Sequence, residues 1–466
     1  MRVSRWSSRR GDAPARVSDA ESGFGPPPSG LLVDLYELTM AESYVAEGIA
    51  ERVATFSLFF RTLPTGWGYA LAGGLGSALR YLVELRFTEP DLAYLGETGL
   101  FTSGLLERLA AFRFSGTVRG MPEGTAVFPG EPLLEVTAPL LEAQVVETML
   151  LNEIHLQTLV ASKAARSVDA ADGRMLVDFS LRRTHGGEAG LAVARASYLA
   201  GFDATSNVLA GRLFGIPIAG TMAHSYVESF EDELDAFRAF ARSYPDDTIL
   251  LVDTYDTLEG VRRAVVVGRE LAERGHRLRG VRLDSGDVAE LSRGARAILD
   301  DGGLPDAVVF ASGGLDEHEI ARLLAAGAPI GGFGVGTRMG VSADAPFLDV
   351  AYKLVEIDGR PTLKLSIGKA SLPGRKQVWR VRRDRRATHD VVGLQLGSGE
   401  GEPLLREVMR DGRAIWTEPL TAQRERARSE RETLPDHVRA LDAAAYEVRI
   451  DPELEGLRRA LSARIG

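Results

Sequence analysis

Between residues 175 and 337, short apolar runs alternate with longer segments whose apolar residues recur every three to four positions. The runs cover 175–180, 216–219, 248–252, 280–283, 308–311 and 330–335. The periodic segments between them cover 188–200, 226–242, 258–274, 288–301 and 317–326. Runs this short read as buried strands, and the periodic segments as amphipathic helices. Their alternation predicts right-handed βαβ units and a parallel sheet. A barrel and an open doubly wound sheet both satisfy this rhythm. In either one, ligands bind beyond the carboxyl ends of the strands.

The flanks have a different texture. A helix is expected from Asp34, as N-cap, to Tyr44. A strand over 53–60 then leads into the turn-rich Arg61-Thr-Leu-Pro-Thr-Gly-Trp-Gly-Tyr69, and helical spacing returns over 71–85. Residues 117–137 alternate short β segments with Pro and Gly turns, and a Leu-rich helix follows over 144–166. After residue 344 the chain turns β-rich again. Strands at 352–357 and 362–366 meet at Asp358-Gly359, a hairpin signal. The highly charged helix over 421–432 reads as a solvated face. Residues 1–30 carry Arg2, Arg5, Arg9 and Arg10 and end in Gly25-Pro-Pro-Pro-Ser-Gly30, so they read as a disordered extension. Asp12, Asp19 and Glu21, with no apolar core, speak against a targeting peptide.

Composition narrows the chemistry. The 466 residues include no Cys, which excludes disulfides, thiol catalysis and cysteine zinc sites. A net charge of −10 argues against a general nucleic-acid binder. No apolar run reaches the ~18 residues that a membrane span needs. The expectation is a cytoplasmic protein with neither nucleic-acid nor membrane partners.

The strand ends carry the candidate chemistry. Gly215-Ile-Pro-Ile-Ala-Gly-Thr-Met-Ala-His-Ser225 reads as a buried strand, 216–219, running into a polar tip with Thr221, His224 and Ser225. A histidine there can act as nucleophile or proton carrier, or it can simply cap the strand. Arg182, Arg183 and Arg282 could clamp a carboxylate. Asp284 and Asp287 flank Ser285-Gly286 and could hold Mg²⁺ or ribose hydroxyls, or could cap the next helix; Asp253 and Asp256 share that ambiguity. Gly334-Val-Gly-Thr337 lets backbone N–H groups approach a phosphate, and Ser312-Gly-Gly opens into a helix N-terminus. Together these point to an enzyme acting on a phosphorylated sugar.

A wider set of motifs carries a resemblance. Asp34-Leu-Tyr-Glu-Leu-Thr-Met40, Phe59-Phe-Arg-Thr-Leu-Pro64, Gly201-Phe-Asp-Ala-Thr-Ser-Asn-Val-Leu-Ala-Gly211, Gly220-Thr-Met-Ala-His-Ser225, Arg282-Leu-Asp-Ser-Gly-Asp287, Gly334-Val-Gly-Thr337 and Leu372-Pro-Gly-Arg-Lys-Gln377 resemble, in order, the nicotinate phosphoribosyltransferases. The resemblance implies an irregular parallel α/β barrel beside a β-rich domain built from both chain ends. Residues 31–145 and 346–466 would form the β-rich domain, with charged helices at its end, and 146–345 the barrel. A homodimer with shared sites is implied. The implied reaction joins nicotinate to 5-phosphoribosyl 1-pyrophosphate, giving nicotinate mononucleotide and pyrophosphate, the first step of NAD biosynthesis from nicotinate. It is coupled to ATP, with Mg²⁺, through a phosphohistidine. By motif, that histidine is His224. Tyr36, Thr221 and Arg282 would hold nicotinate, with Arg183 nearby. Asp284, Ser285, Ser312, Gly313, Gly334, Gly336 and Thr337 would hold the phosphoribosyl part. The metal ligands stay open.

Two rival readings remain at this level. Nicotinamide-preferring relatives carry an acid in place of Ser206, so Ser206 favours the anionic ring. A non-catalytic barrel that binds phosphorylated ligands is disfavoured by the full set of polar strand ends. Deleting residues 1–28 should leave melting temperature and turnover nearly unchanged, because Pro-Gly-rich tails rarely join a core. A large loss of either would give this segment a structural role.

Overall fold

The computed structural model describes residues 29–365 and 371–465. The expectation for residues 1–28 lies outside them. Ser29 and Gly30 run beside Arg86, with the Gly30 N–H donating to the Arg86 carbonyl at 3.1 Å. The chain forms two compact units. Residues 163–344 make an α/β unit, and the segments up to 162 and from 345 onward make the other.

The α/β unit holds six parallel strands: β1 (Met175–Asp178), β2 (Ala204–Thr205), β3 (Ile249–Leu251), β4 (Gly280–Leu283), β5 (Val308–Ala311) and β6 (Gly332–Val335). Their order across the sheet is β2-β1-β6-β5-β4-β3. That is the cyclic order of a barrel, with the ladder interrupted between β2 and β3, so the hydrogen-bonded sheet is a half-barrel. Helices follow the strands: α1 (Gly187–Ala200), α2 (Val208–Phe214), α3 (His224–Glu228), α4 (Glu233–Ser243), α5 (Thr257–Glu273), α6 (Val288–Asp301), α7 (Glu317–Ala325) and α8 (Thr337–Gly340). Strand and helix apolar faces meet in a dry core that includes Phe237, Leu250, Leu251, Val281, Leu283 and Val309. Each such side chain contributes roughly 1.5–3 kcal/mol on burial.

Two expectations fail in this unit. Residues 216–219 are not a buried strand. They make one parallel bridge, Thr205 to Ile218, and Ile218 is 55% exposed. Pro217 has no N–H and lends only its carbonyl, which accepts from the Thr205 N–H at 3.0 Å, so the ladder cannot propagate. The helix expected over 226–242 is two helices, because the Asp232 side chain accepts from the Leu234 N–H at 3.2 Å and caps a new start.

The other unit is built on a seven-stranded antiparallel sheet. Its central strand, Leu134–Pro139, pairs with Val53–Phe60, which pairs in turn with Val350–Ile357. The segment around 117–137 supplies three short strands, as its turn pattern implies. The Asp358-Gly359 turn closes a hairpin with Ile357 opposite Arg360, both turn residues having positive φ. The second arm is only Arg360–Pro361, because Pro361 cannot continue the ladder; Ser366 of the expected strand lies outside the described residues. A four-stranded sheet contains Lys376–Arg383 and Arg386–Leu394.

The charged helix Leu420–Thr433 is not merely a solvated face, since Gln423, Ala427, Glu430 and Arg431 are buried. Arg380, fully buried, explains this. Its Nε and Nη2 donate to Asp390 at 3.0 and 2.6 Å, Nη1 donates to Glu430, and the guanidinium lies 5.5 Å from the Phe128 ring centroid. Arg382 donates to the other oxygen of Glu430. Two cations thus answer two carboxylates. A third buried acid, Glu131, has its carboxyl pushed well above the usual range by burial and by Asp390. Arg380→Met should cost roughly 3–5 kcal/mol, because it strands Asp390 without its cation and leaves Glu430 with Arg382 alone. Denaturant unfolding checks this; a loss under about 1 kcal/mol would show that the acids find other partners.

Candidate active site

The carboxyl ends of the parallel strands gather most of the residues singled out above. Arg282 is the one charged side chain in β4, Gly280–Leu283. Its Nη1 donates to Thr221 Oγ1, its guanidinium carbon lies 5.9 Å from the Phe179 ring centroid, and its Nε is buried without a hydrogen-bond partner. Burial holds this guanidinium below its ordinary pKa, and Arg182 adds to that, while Asp284 and Asp253 oppose it. A buried donor atom with no partner is uncommon in a folded protein.

His224 begins α3, just past the Thr205–Ile218 bridge, and its Nδ1 lies 3.2 Å from Thr254 Oγ1 beyond β3. This contact spans the seam where the ladder stops. Asp253 holds the next loop: its Oδ2 accepts from the Asp284 N–H at 3.0 Å and from Ser285 Oγ at 2.7 Å. Its Oδ1 is buried with no partner. Asp287 caps α6, accepting from the N–H groups of Ala289 and Glu290, and Asp256 caps α5. The capping reading holds for those two acids, while Asp253 and Asp284 face the loops.

Ser312 is buried, and its hydroxyl donates to Asp284 Oδ1. Gly313 has φ +86°, and a Cβ there would stand 2.0 Å from the Asp284 carbonyl oxygen, so the turn requires glycine twice over. At Gly334 a Cβ would meet the Phe179 ring at 2.4 Å. Its missing side chain therefore makes room for an aromatic ring, a reason the Gly-x-Gly-Thr pattern does not reveal. Gly336 lies against the Phe179 backbone, and Thr337 is exposed at the start of α8. Ser206 follows β2, with its N–H donating to the Asp178 carbonyl at 2.8 Å. Arg183 is exposed in the turn after β1. Tyr36 belongs to the other unit, on the helix Leu35–Ala46, and is 45% exposed; burial and the nearby Glu147 and Glu37 push its phenol pKa up.

Sequence reasoning missed Phe179, Thr254 and Asp178. Asp178 is buried at the end of β1, and its carboxylate accepts from the Ser180 N–H at 2.9 Å and Thr205 Oγ1 at 2.7 Å, tying β1 to β2. Phe179 closes an apolar run and carries no polar signal. Thr254 sits inside the noticed Asp253-Thr-Tyr-Asp256, so adjacency was the available clue.

A parallel α/β unit that presents a partnerless guanidinium, an imidazole and loop-facing carboxylates at its strand ends defines a protein that handles anionic, phosphorylated ligands. Residues 31–155 match the nicotinate phosphoribosyltransferase (NAPRTase) N-terminal domain, and residues 175–391 match the nicotinate phosphoribosyltransferase (NAPRTase) family. The chain belongs to the nicotinate phosphoribosyltransferase family. It is 50% identical over 438 residues to nicotinate phosphoribosyltransferase pncB2 of Mycobacterium tuberculosis, covering 92% of this chain and 94% of that one. To the nicotinate phosphoribosyltransferase of Bacillus subtilis it is 45% identical over 368 residues, 78% and 75% of the two chains. The crystal structure of human nicotinic acid phosphoribosyltransferase superposes with a TM-score of 0.80 at 31% identity, covering 92% of this chain and 99% of that one. Among the described residues no helix is long and apolar enough to cross a membrane.

The Asp253 contacts generate a stability prediction. Asp253→Ala should destabilise by roughly 1–3 kcal/mol, since it orphans the Asp284 N–H and Ser285 Oγ. Asp253→Asn keeps one carbonyl oxygen able to accept both bonds and should lose less than half as much. Equal losses in thermal unfolding would mean that charge, not hydrogen bonding, is what Asp253 supplies.

Proposed function

We propose that this chain transfers the phosphoribosyl group of 5-phosphoribosyl 1-pyrophosphate to nicotinate, coupled to ATP through a phosphohistidine at His224. The carrying observation is the half-buried Arg282 guanidinium, its buried Nε partnerless and its plane set beside Phe179 and Thr221. A flat aromatic acid suits that corner, its carboxylate answering the guanidinium. Ser206, where an acid would repel such a ring, is consistent with nicotinate. Tyr36 belongs to the other unit and is exposed, and the resemblance alone assigns it to nicotinate.

In the transfer step the pyridine nitrogen attacks ribose C1 while the C1–O bond to pyrophosphate breaks, the electron pair leaving with pyrophosphate. The nucleophile has no proton to lose, so the chain needs no general base here. Its task is to position the anions and the oxocarbenium-like ribose. The resemblance assigns the phosphoribosyl part to Asp284, Ser285, Ser312, Gly313, Gly334, Gly336 and Thr337. With Ser312 Oγ engaged by Asp284, that serine acts by holding the acid. His224 takes the terminal phosphoryl of ATP, an N–P bond forming as the P–O bond to ADP breaks, and water later returns phosphate and free imidazole. One ring nitrogen lies near Thr254, and among the described residues no hydrogen bond engages the other.

Mg²⁺ would arrive with the polyphosphate substrates and neutralise their charge. The partnerless Asp253 oxygen and the Asp284 carboxylate are the donors that fit it. Glu317, His318 and Asp344 also converge, but the Lys163 ammonium bonds both Glu317 and Asp344 and fills that role. We place the protein in the cytoplasm, as a homodimer.

Pyrophosphate release should depend on nicotinate and fall sharply with nicotinamide or quinolinate. His224→Ala should abolish ATP hydrolysis and labelling from γ-labelled ATP while leaving slower, ATP-independent transfer. Nicotinamide as the better substrate, or labelling that survives in the alanine variant, would overturn the corresponding half of this reading.

A further inference from the structure

The loops after β5 and β6 carry Ser312, Gly313, Gly336 and Thr337, which the resemblance assigns to the phosphoribosyl part, and the sheet does not join them. The β5–β6 ladder pairs Phe310 with Gly332 and Ala311 with Phe333 and goes no further. Beyond it, no backbone hydrogen bond among the described residues links 312–316 to 334–338. One side-chain contact does. Arg338 Nη1 donates to Asp316 Oδ2 at 2.7 Å. Asp316 is well placed for this, because its other oxygen accepts from the Glu319 N–H at 2.9 Å and so fixes the start of α7. The neighbouring Glu317 is fully buried and takes Lys163 Nζ at 2.8 Å and Arg166 Nε at 2.9 Å. The β5 loop is thus anchored at its far end, and the β6 loop is tied to that anchor through Arg338.

Resting on the functional reading above, we propose that Arg338 and Asp316 are a positioning pair that locks the two loops into one preformed cradle for the 5-phosphate. Without the pair, a phosphate that must touch both loops has to draw them together itself, and that ordering is subtracted from binding. The pair should therefore matter for ligands that carry a 5-phosphate and not for those that lack one.

The test is calorimetric binding to the full chain of ribose 5-phosphate and nicotinate mononucleotide, against nicotinate and pyrophosphate. Arg338→Met should raise Kd for both 5-phosphate ligands about fivefold, the factor that corresponds to the upper range for an exposed ion pair. Asp316→Asn keeps a capping oxygen for α7 but loses the charge, and should do the same. The double variant should be no worse than either single one, and Arg338→Lys should recover part of the loss. Nicotinate affinity and pyrophosphate affinity should stay unchanged, and the melting temperature should fall by no more than about 4 °C, the shift that a loss of this size produces in a unit of this length. If Arg338→Met weakens binding and Asp316→Asn does not, the arginine touches the phosphate directly and the pairing role is wrong. Weakening of all four ligands alike, or of none, overturns it as well. A wild-type chain that binds neither 5-phosphate ligand overturns the functional reading itself.

Discussion

A parallel sheet ends its backbone ladder a residue or two before the loops that do chemistry, so something else must hold those loops. In this α/β unit the answer is a succession of polar side chains around the strand ends. Asp178 takes Thr205 between β1 and β2, Arg338 takes Asp316 between β6 and β5, and Ser312 takes Asp284 between β5 and β4. Asp253 takes the Asp284 N–H and Ser285 between β3 and β4. His224 and Thr254 meet across the gap between β2 and β3, where no ladder exists. The cyclic strand order thus continues through side chains where the backbone stops. Loops held this way need little reorganisation when a charged ligand arrives.

Arg282 shows why this arrangement suits anions. A guanidinium can be withdrawn from water only if its donors find acceptors or its surroundings supply opposite charge. Thr221 satisfies one donor, Asp253 and Asp284 oppose the desolvation, and Phe179 covers one side. Nε remains unanswered. The cost of withdrawing Arg282 from water is therefore only partly met by the protein, which is what supports the proposal that a carboxylate completes it. The other unit meets the same constraint differently. Arg380 is surrounded completely, by Asp390, Glu430, the Ala126 carbonyl and the Phe128 ring, and so serves the architecture alone.

Much of this was legible in the chain's periodicity and motifs. The strands Gly280–Leu283 and Val308–Ala311 and the helix Val288–Asp301 fall where the apolar pattern places them, because burial on both sheet faces demands continuous apolar runs. The Asp358-Gly359 hairpin follows from residues that tolerate positive φ. Polar residues at strand ends, and the ordered motifs of the nicotinate phosphoribosyltransferase family, identified the end of the sheet to inspect. Some failures were local, as where Asp232 caps a new helix start two residues on, and others came from partners elsewhere in the chain. Pro217 ended a ladder whose single partner is Thr205, and the charged helix Leu420–Thr433 was drawn inward by Arg380 on a strand about forty residues earlier.

Local chemistry therefore determined the kinds of element, their order and the residue types that could meet a phosphorylated substrate. Tertiary structure decided what each of those residues touches. Gly334 is small because Phe179 lies against it, and Ser312 holds Asp284 instead of facing solvent. Asp287 caps a helix while Asp253, one strand over, keeps a free oxygen. The Ser312 and Asp253 outcomes rest on single hydrogen bonds between residues about thirty positions apart. Periodicity reports which face of an element is buried, but carries no information about what that face will meet.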